Sequence, residues 1–256
     1  MTLAEELLLF DQLLIGFAVV ACFVFITTLL ITAPYGRHER DGWGVAIPAR
    51  WAWVLMESPN VLLMILMFYW GNRHSNSVAW VFLLIWMLHY VDRTYIYPFK
   101  AQMKGKTMPF TVFIFALVFT SFNTFLNGRY LFSLAPVMDS SWFSDPRFLL
   151  GCVLFGVGFF YNRHSDAILR SLRSPGETGY KIPYGGLYRF VSCPNYLSEI
   201  VMWIGWALAT WCWPAALFAL WTVANLAPRA RAHHQWYQQK FEDYPAERKA
   251  LIPRLW

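Results

Sequence analysis

The stretch VSCPNYLSEIVMWIGWALATW, Val191 to Trp211, decides how the rest of the chain is read. From Tyr196 onward it is apolar except for Ser198, Glu199 and Thr210. Its mouth carries Asn195 and Glu199, four residues apart. On a helix that spacing puts a carboxamide and a carboxylate on one face, one turn apart. A carboxylate at the edge of a hydrocarbon layer is costly unless it is partnered, so it marks a candidate site. The structural alternative is capping plus compensation of the helix dipole. Ser192 or Asn195 is the expected cap, with Pro194 in the first turn if Ser192 fills that role.

The composition agrees with a helix entering lipid. The chain has 256 residues, of which 57% are hydrophobic, 19% aromatic and only 14% charged, with mean hydropathy +0.38. An average soluble domain carries about 25% charged residues, so the expected class is an all-α integral membrane protein. The formal charge of +6 is spread over several loops. That argues for membrane lipid as the partner of the basic groups and against nucleic acid. The four cysteines are scattered, with no C-x-x-C pair, so neither a disulfide framework nor a zinc site is expected. The opening MTLAEELLLF is acidic and runs into a long apolar stretch, which reads as a retained first span and not a signal peptide.

A membrane-spanning helix needs about 20 mostly apolar residues. Candidate spans fall at 7–33, 52–70, 78–97, 109–126, 148–161, 196–211 and 214–226. The fifth is expected to continue as a polar helix to residue 172. The last two are expected to form a tight hairpin about the WCWP segment, 211–214. Seven transmembrane helices place alternate loops and the C-terminal tail on one side. That side holds 18 of the 21 Lys and Arg residues; the other holds Arg73, Arg129 and Arg147. By the positive-inside rule the C-terminus is cytosolic and the N-terminus outside. With no linker or repeat, the chain reads as one domain, 1–256, with substrate-side helices over 1–107 and a cofactor-binding half over 148–256. A multi-pass location follows: an inner membrane in a bacterium, the endoplasmic reticulum in a eukaryote. A monomer is expected.

Chemistry gathers on the basic side. Asn162, Asp166 and Arg170 are spaced i, i+4, i+8 and line one helical face, with Arg173 a turn further and Ser174-Pro175-Gly176 as the expected stop. Taken alone this is equally a solvated helix end with a weak Asp166–Arg170 ion pair. The next loop changes the balance, because Tyr180, Lys181, Tyr184, Gly185, Gly186, Tyr188 and Arg189 follow within ten residues. Glycines admit close backbone approach, arginine forks bind phosphate, and tyrosine faces stack on planar rings. The tail adds Arg229, Arg231, His233, His234 and Tyr237. Adjacent histidines point apart on a helix, so no metal is expected. Together these groups suit a large anionic cofactor. Gly156-Val157-Gly158 lies inside an apolar run without a βαβ unit, which excludes the usual dinucleotide fingerprint.

A second cluster lies in the apolar half. Glu57 sits in WAWVLMESPNVLLM, with Pro59 expected to kink that helix, and HYVDRTYIYP carries His89, Tyr90, Asp92, Arg93 and Tyr95. An un-ionised Glu57 and the Tyr90 hydroxyl can both donate a hydrogen bond to a carbonyl oxygen. The structural alternative pairs Glu57 with Arg50 or Arg93.

The run NRHSDAILRSLRSPGETGYKIPYGGLYRFVSCPNYLSEIVMWIGWALATW, the tail HHQWYQQKFEDYPAERKALIP, Glu57 and HYVDRTYIYP resemble the membrane steroid 5α-reductase family. The resemblance extends from about Pro34 to the end and is most specific from Asn162 onward. It implies a seven-helix membrane fold and NADPH-dependent reduction of the Δ4 double bond of a 3-oxosteroid. On the matching positions, it implies that Glu57 and Tyr90 hold the 3-oxo group. It further implies that Asn162, Asp166, Arg173, Tyr180, Asn195, Glu199, Arg229, His233 and Tyr237 surround NADPH. Arg170 joins that set from its helical face. The C-terminal half is also similar to membrane reductases of enoyl-CoA, polyprenol or sterol double bonds, and more remotely to isoprenylcysteine carboxyl methyltransferases. Another lipid-like enone therefore stays open as substrate, as does a transporter using Glu57 as a proton relay.

Overall fold

The computed structural model describes every residue except Met1, Glu39, Gln102, Lys104, Pro175, Gly176 and Thr178. Lys104, counted above among the bases, and Pro175 and Gly176, expected to stop a helix, lie outside the described residues. Seven long helices follow one another among the described residues: α1 (Leu3–Leu30), α2 (Ala49–Trp70), α3 (Ser77–Val91), α4 (Phe110–Arg129), α5 (Pro146–Ser171), α6 (Pro194–Thr210) and α7 (Trp213–Lys240). A two-stranded antiparallel sheet, β1 (Ala46–Pro48) with β2 (Thr107–Pro109), pairs Ala46 with Pro109 and is absent from the all-α expectation. Among the described residues, three segments are long and apolar enough to cross a membrane: Leu3–Leu30, Ala49–Trp70 and Phe110–Leu134. Their outward side chains are apolar too; on α1, Phe23 is 67% and Leu30 80% exposed. A soluble protein does not leave such a surface to water.

The chain divides into two compact units. One comprises Met1–Val19, Ala33–Phe148 and Cys212–Ala215; the other comprises Val20–Thr32, Leu149–Trp211 and Ala216–Trp256.

In the first unit, α2 and α4 approach closely. A Cβ on Gly128 would lie 2.8 Å from Met67 Cβ, so glycine lets the two backbones meet. Polar side chains on α4 then satisfy α2: Thr120 Oγ1 donates to the Met56 carbonyl at 2.5 Å and Thr124 Oγ1 to Asn60 Oδ1 at 2.7 Å. Helix α2 runs as one element through Pro59. The expected span 78–97 is not one α-helix. It breaks at Val91 into a π-helical turn, Asp92–Ile96, and a last turn, Tyr97–Lys100. Pro98 has no N–H to give Thr94, and Tyr97 N–H bonds Asp92 O, one residue further back than an α-helix would. At the start of α1, Glu6 meets Arg129, whose Nε donates at 2.7 Å.

In the second unit, α5 and α6 pack through glycines. A Cβ on Gly151 would lie 2.4 Å from Ala209 N, and one on Gly158 2.6 Å from both Ser198 O and Met202 N. This contact fixes the register that brings Asn162 beside Asn195. Helix α5 ends at Ser171, within one residue of the expected end at 172. Helix α6 starts with Cys193 in the cap position and no side-chain cap bond, with Pro194 first in the helix; the Ser192 hydroxyl is engaged elsewhere. After α6, Trp211 takes a left-handed conformation (φ 46°, ψ 47°), and the chain re-enters helix at Trp213, the expected hairpin. Helix α7 does not end near residue 226 but continues through Pro228 to Lys240. Pro228 leaves the Ala224 carbonyl without its helical donor. Thr28 Oγ1 donates to that oxygen at 3.2 Å. Beyond α7 the tail returns to the entrance of α6, where Ser192 N–H bonds Lys249 O at 2.8 Å and Lys249 N–H bonds Phe190 O at 3.0 Å.

Candidate functional site

The polar ends of α5, α6 and α7 converge in the second unit. Asn162 on α5 donates through Nδ2 to the Asn195 carbonyl at 3.0 Å, and Asn195 Nδ2 reaches Asp166 Oδ1 at 3.4 Å. Asn162 and Asp166 are buried and Asn195 is half-buried. On α7, Arg229 Nε donates to Tyr196 OH at 3.1 Å, and His233 Nε2 shares a hydrogen bond with the same hydroxyl at 3.2 Å. Arg229, His233 and Tyr237 are all buried. They fall on one face of α7 because they are spaced i, i+4, i+8.

Placement differs for the remaining cofactor candidates. Glu199 is half-buried, one turn past Asn195 on α6. Arg170 is half-buried near the end of α5. Arg173 stacks its guanidinium 4.5 Å over the Tyr180 ring, which packs edge-on against Trp236 at 5.0 Å. Trp236 in turn packs against Tyr237. So Arg173 and Tyr180 form an outer aromatic–cation stack adjoining the buried residues. The two histidines face different partners: His233 bonds Tyr196, while His234 Nδ1 lies 2.6 Å from Ser192 Oγ. Burial, followed by the charge of Lys249, holds His234 below its usual range.

Reading the sequence missed one member of this cluster, Tyr196, and gave another, Tyr188, only as one of several loop tyrosines. Tyr196 bridges Arg229 and His233, although the sequence shows it only as the first apolar residue of a span. Tyr188 is fully buried beneath the loop and is influenced by Asp166, Tyr196 and Tyr237. An aromatic residue next to Asn195 and another beside Arg189 were the available signals.

The first unit holds the other candidates. Glu57 Oε2 accepts from Asn60 Nδ2 at 2.9 Å. Asn60 is 1% exposed and also accepts from Thr124 and, through its carbonyl, from Trp86 Nε1 at 2.8 Å. Trp86 packs 4.7 Å from the Tyr90 ring, and His89 lies edge-on to it at 4.9 Å. Glu57 and Tyr90 thus belong to one polar–aromatic chain across α2, α3 and α4. Arg93, an expected counter-ion, stacks over Trp53 and Tyr97, each at 4.5 Å. Asn60, three residues after Glu57, is the missed residue here.

Fold and sites define a helical protein with membrane-length apolar segments and clusters of carboxylate, carboxamide, tyrosine, arginine and histidine side chains. A family model described as 3-oxo-5-alpha-steroid 4-dehydrogenase matches residues 106–256. The chain is 42% identical over 263 residues to 3-oxo-5-alpha-steroid 4-dehydrogenase 1 of Bos taurus, covering 100% of both chains. It is 42% identical over 238 residues to the Homo sapiens protein of the same name, covering 92% of this chain and 91% of the relative. It is 40% identical over 252 residues to a steroid 5-alpha-reductase of Solanum lycopersicum, covering 97% of each chain. The chain belongs to the 3-oxo-5-alpha-steroid 4-dehydrogenase family, whose members are oxidoreductases acting on CH–CH bonds.

Proposed function

We propose that this protein reduces the Δ4 double bond of a 3-oxo-Δ4-steroid to the 5α-dihydro product, using NADPH. The observation that carries the reading is the convergence of Asn162, Asp166, Asn195, Arg229, His233 and Tyr237 at one end of three helices, in a chain of this family. The residues fit the cofactor. Carboxylate and carboxamide groups suit ribose hydroxyls and a nicotinamide amide. Arg229, Arg173 and Arg170 suit phosphate oxygens. Two fully buried hydroxyls, of Ser165 and Tyr188, have no hydrogen-bond partner among the described residues, a costly state that a bound ligand would relieve.

Bound NADPH supplies the hydride that adds to C5. The protein's own residues do the rest. Glu57, un-ionised, donates a hydrogen bond to the steroid 3-oxo group, and Tyr90 donates a second. As negative charge moves onto that oxygen, both bonds strengthen, which is oxyanion stabilisation. Asn60 holds Glu57 Oε2 in place, and the Trp86 and His89 rings orient Tyr90. The enolate is then protonated at C4 by water, which completes the saturated ring. Asn162, Asp166, Arg170, Arg173, Tyr180, Asn195, Glu199, Arg229, His233 and Tyr237 bind and orient the cofactor and shield it from water.

All seven helices cross the bilayer in this reading, with the C-terminus and most Lys and Arg residues on the cytosolic side, where NADPH is found. The steroid enters from the lipid, and the enzyme acts as a monomer in an inner or endoplasmic-reticulum membrane. The test is incubation of detergent-purified protein with progesterone or testosterone and NADPH. A 5α-dihydro product supports the reading. NADPH oxidation confined to another conjugated enone or a polyprenol moves the substrate class, and methyl transfer without NADPH oxidation refutes it.

A further inference from the structure

Hydroxyls buried in the C-terminal helices are mostly paired. Ser198, Thr210 and Thr222 each donate to the carbonyl four residues back, at 2.6, 2.8 and 3.0 Å. Ser192 lies 2.6 Å from both His234 Nδ1 and Tyr244 OH. Ser165 and Tyr188 differ. Each is 1% exposed, and neither oxygen has a hydrogen-bond partner among the described residues. Ser165 sits in the interior of α5, where the usual bond to the i−4 carbonyl is on offer, yet its hydroxyl does not take it. A buried hydroxyl without a partner is costly and rare, and two in one unit call for a common reason.

Both lie near Asp166. Ser165 precedes Asp166 on α5. The loop that carries Tyr188 packs onto that stretch of α5: a Cβ on Gly186 would lie 2.7 Å from His164 Cε1 and 3.2 Å from Ile168 Cδ1. Gly186 has φ +49°, so glycine here serves both the turn and the close approach. Burial first, then the neighbouring Asp166 charge, keeps the Tyr188 phenol well above its usual range, so it remains a proton donor.

Resting on the reading of this region as an NADPH site, we propose that the Tyr188 and Ser165 hydroxyls are cofactor ligands that close a hydrogen-bonded ring around one ribose hydroxyl. A phosphate is unsuited to this spot, because Asp166 would repel it. A sugar hydroxyl can give its proton to Asp166 while its oxygen accepts from Tyr188 and Ser165. The two orphan hydroxyls are then the groups that the protein leaves unpaired for the ligand.

The experiment uses the full chain in detergent, with Tyr188→Phe and Ser165→Ala, and two readouts that do not depend on turnover. The first is the Kd for NADPH from fluorescence titration. The second is the melting temperature of the cofactor-free protein. Loss of a neutral hydrogen bond predicts a Kd raised about 3- to 10-fold in each variant. The cofactor-free melting temperature should stay the same or rise, since a buried unpaired group has been removed. An unchanged Kd overturns the proposal. So does a melting temperature that falls along with affinity, because the hydroxyl then serves the protein itself. If the parent protein fails to bind NADPH at all, the functional reading falls and this proposal falls with it, an outcome the parent titration separates from the other two.

Discussion

Replacing Glu57 by glutamine removes one acidic donor and little else. The glutamine oxygen can take the place of Oε2 and accept from Asn60 Nδ2, which sits 2.9 Å away. The rest of the chain is then intact: Thr124 still bonds Asn60 Oδ1 at 2.7 Å and Trp86 still bonds the Asn60 carbonyl at 2.8 Å. Packing against α3 and α4 therefore survives, and so should the melting temperature. What changes is the donor offered to the 3-oxo oxygen, from a carboxylic acid to a much weaker amide acid. Loss of a donor at a developing oxyanion slows the chemical step by about 100- to 1,000-fold, or about 2.7–4 kcal/mol. The assay is single-turnover reduction at saturating NADPH, followed by loss of the nicotinamide absorbance. NADPH affinity should match the parent, since Glu57 is assigned to the steroid. A turnover rate within a few-fold of the parent, in a protein that still melts normally, would refute the assignment of Glu57 to the 3-oxo group.

Other consequences are as concrete. Gly158→Ala forces a methyl to within 2.6 Å of two backbone atoms on α6, neither able to swing away, and should cost at least about 1–3 kcal/mol. Gly156→Ala, which meets nothing within 4 Å, should be neutral, and equal thermal melts for the two would contradict the close α5–α6 contact. Arg173→Ala should raise the KM for NADPH about tenfold or more at unchanged kcat, through loss of a charge-assisted contact; an unaltered KM removes Arg173 from the site. His234 has a folded pKa below the ordinary 6.5, so folding favours its neutral form. Its contribution is complete above pH 6.5 and is lost as pH falls through 6.5 towards the lower folded value. Thermal stability should therefore decline as pH falls below the ordinary 6.5, and His234→Gln should flatten that decline. Identical pH profiles for parent and variant would show that the Ser192–His234 contact does not carry it.

Much of this architecture is visible in the order of residues, because apolar runs and turns are local properties. The hairpin at Trp211–Trp213 follows from two apolar runs and one short break. The face formed by Asn162 and Asp166 follows from helical spacing alone. Three features were hidden, two of them because their causes are distant in sequence. Helix α7 continues past Pro228 partly because Thr28, 196 residues away, supplies a donor to the Ala224 carbonyl. A basic stretch after a proline otherwise reads as a tail. The π-helical turn at Asp92–Ile96 is a shift of one residue in hydrogen bonding, and hydropathy carries no trace of it. Strands β1 and β2 are three residues each and pair across about 60 positions of chain, Pro48 with Thr107 and Ala46 with Pro109. The sites follow the same rule. Carboxylates and arginines in apolar surroundings announce themselves, whereas Asn60 and Tyr196 become functional candidates only when their partners, Glu57 and Thr124 or Arg229 and His233, are seen beside them.

The most direct test of the central claim follows the hydride itself. Purified protein would be given NADPH carrying deuterium at the transferable position of the nicotinamide, with a 3-oxo-Δ4-steroid in ordinary water, and the product mapped by nuclear magnetic resonance and mass. The account predicts one deuterium at C5 on the α face and ordinary hydrogen from water at C4. Deuterium at C4, or a reduced steroid with no label from the cofactor, would contradict it.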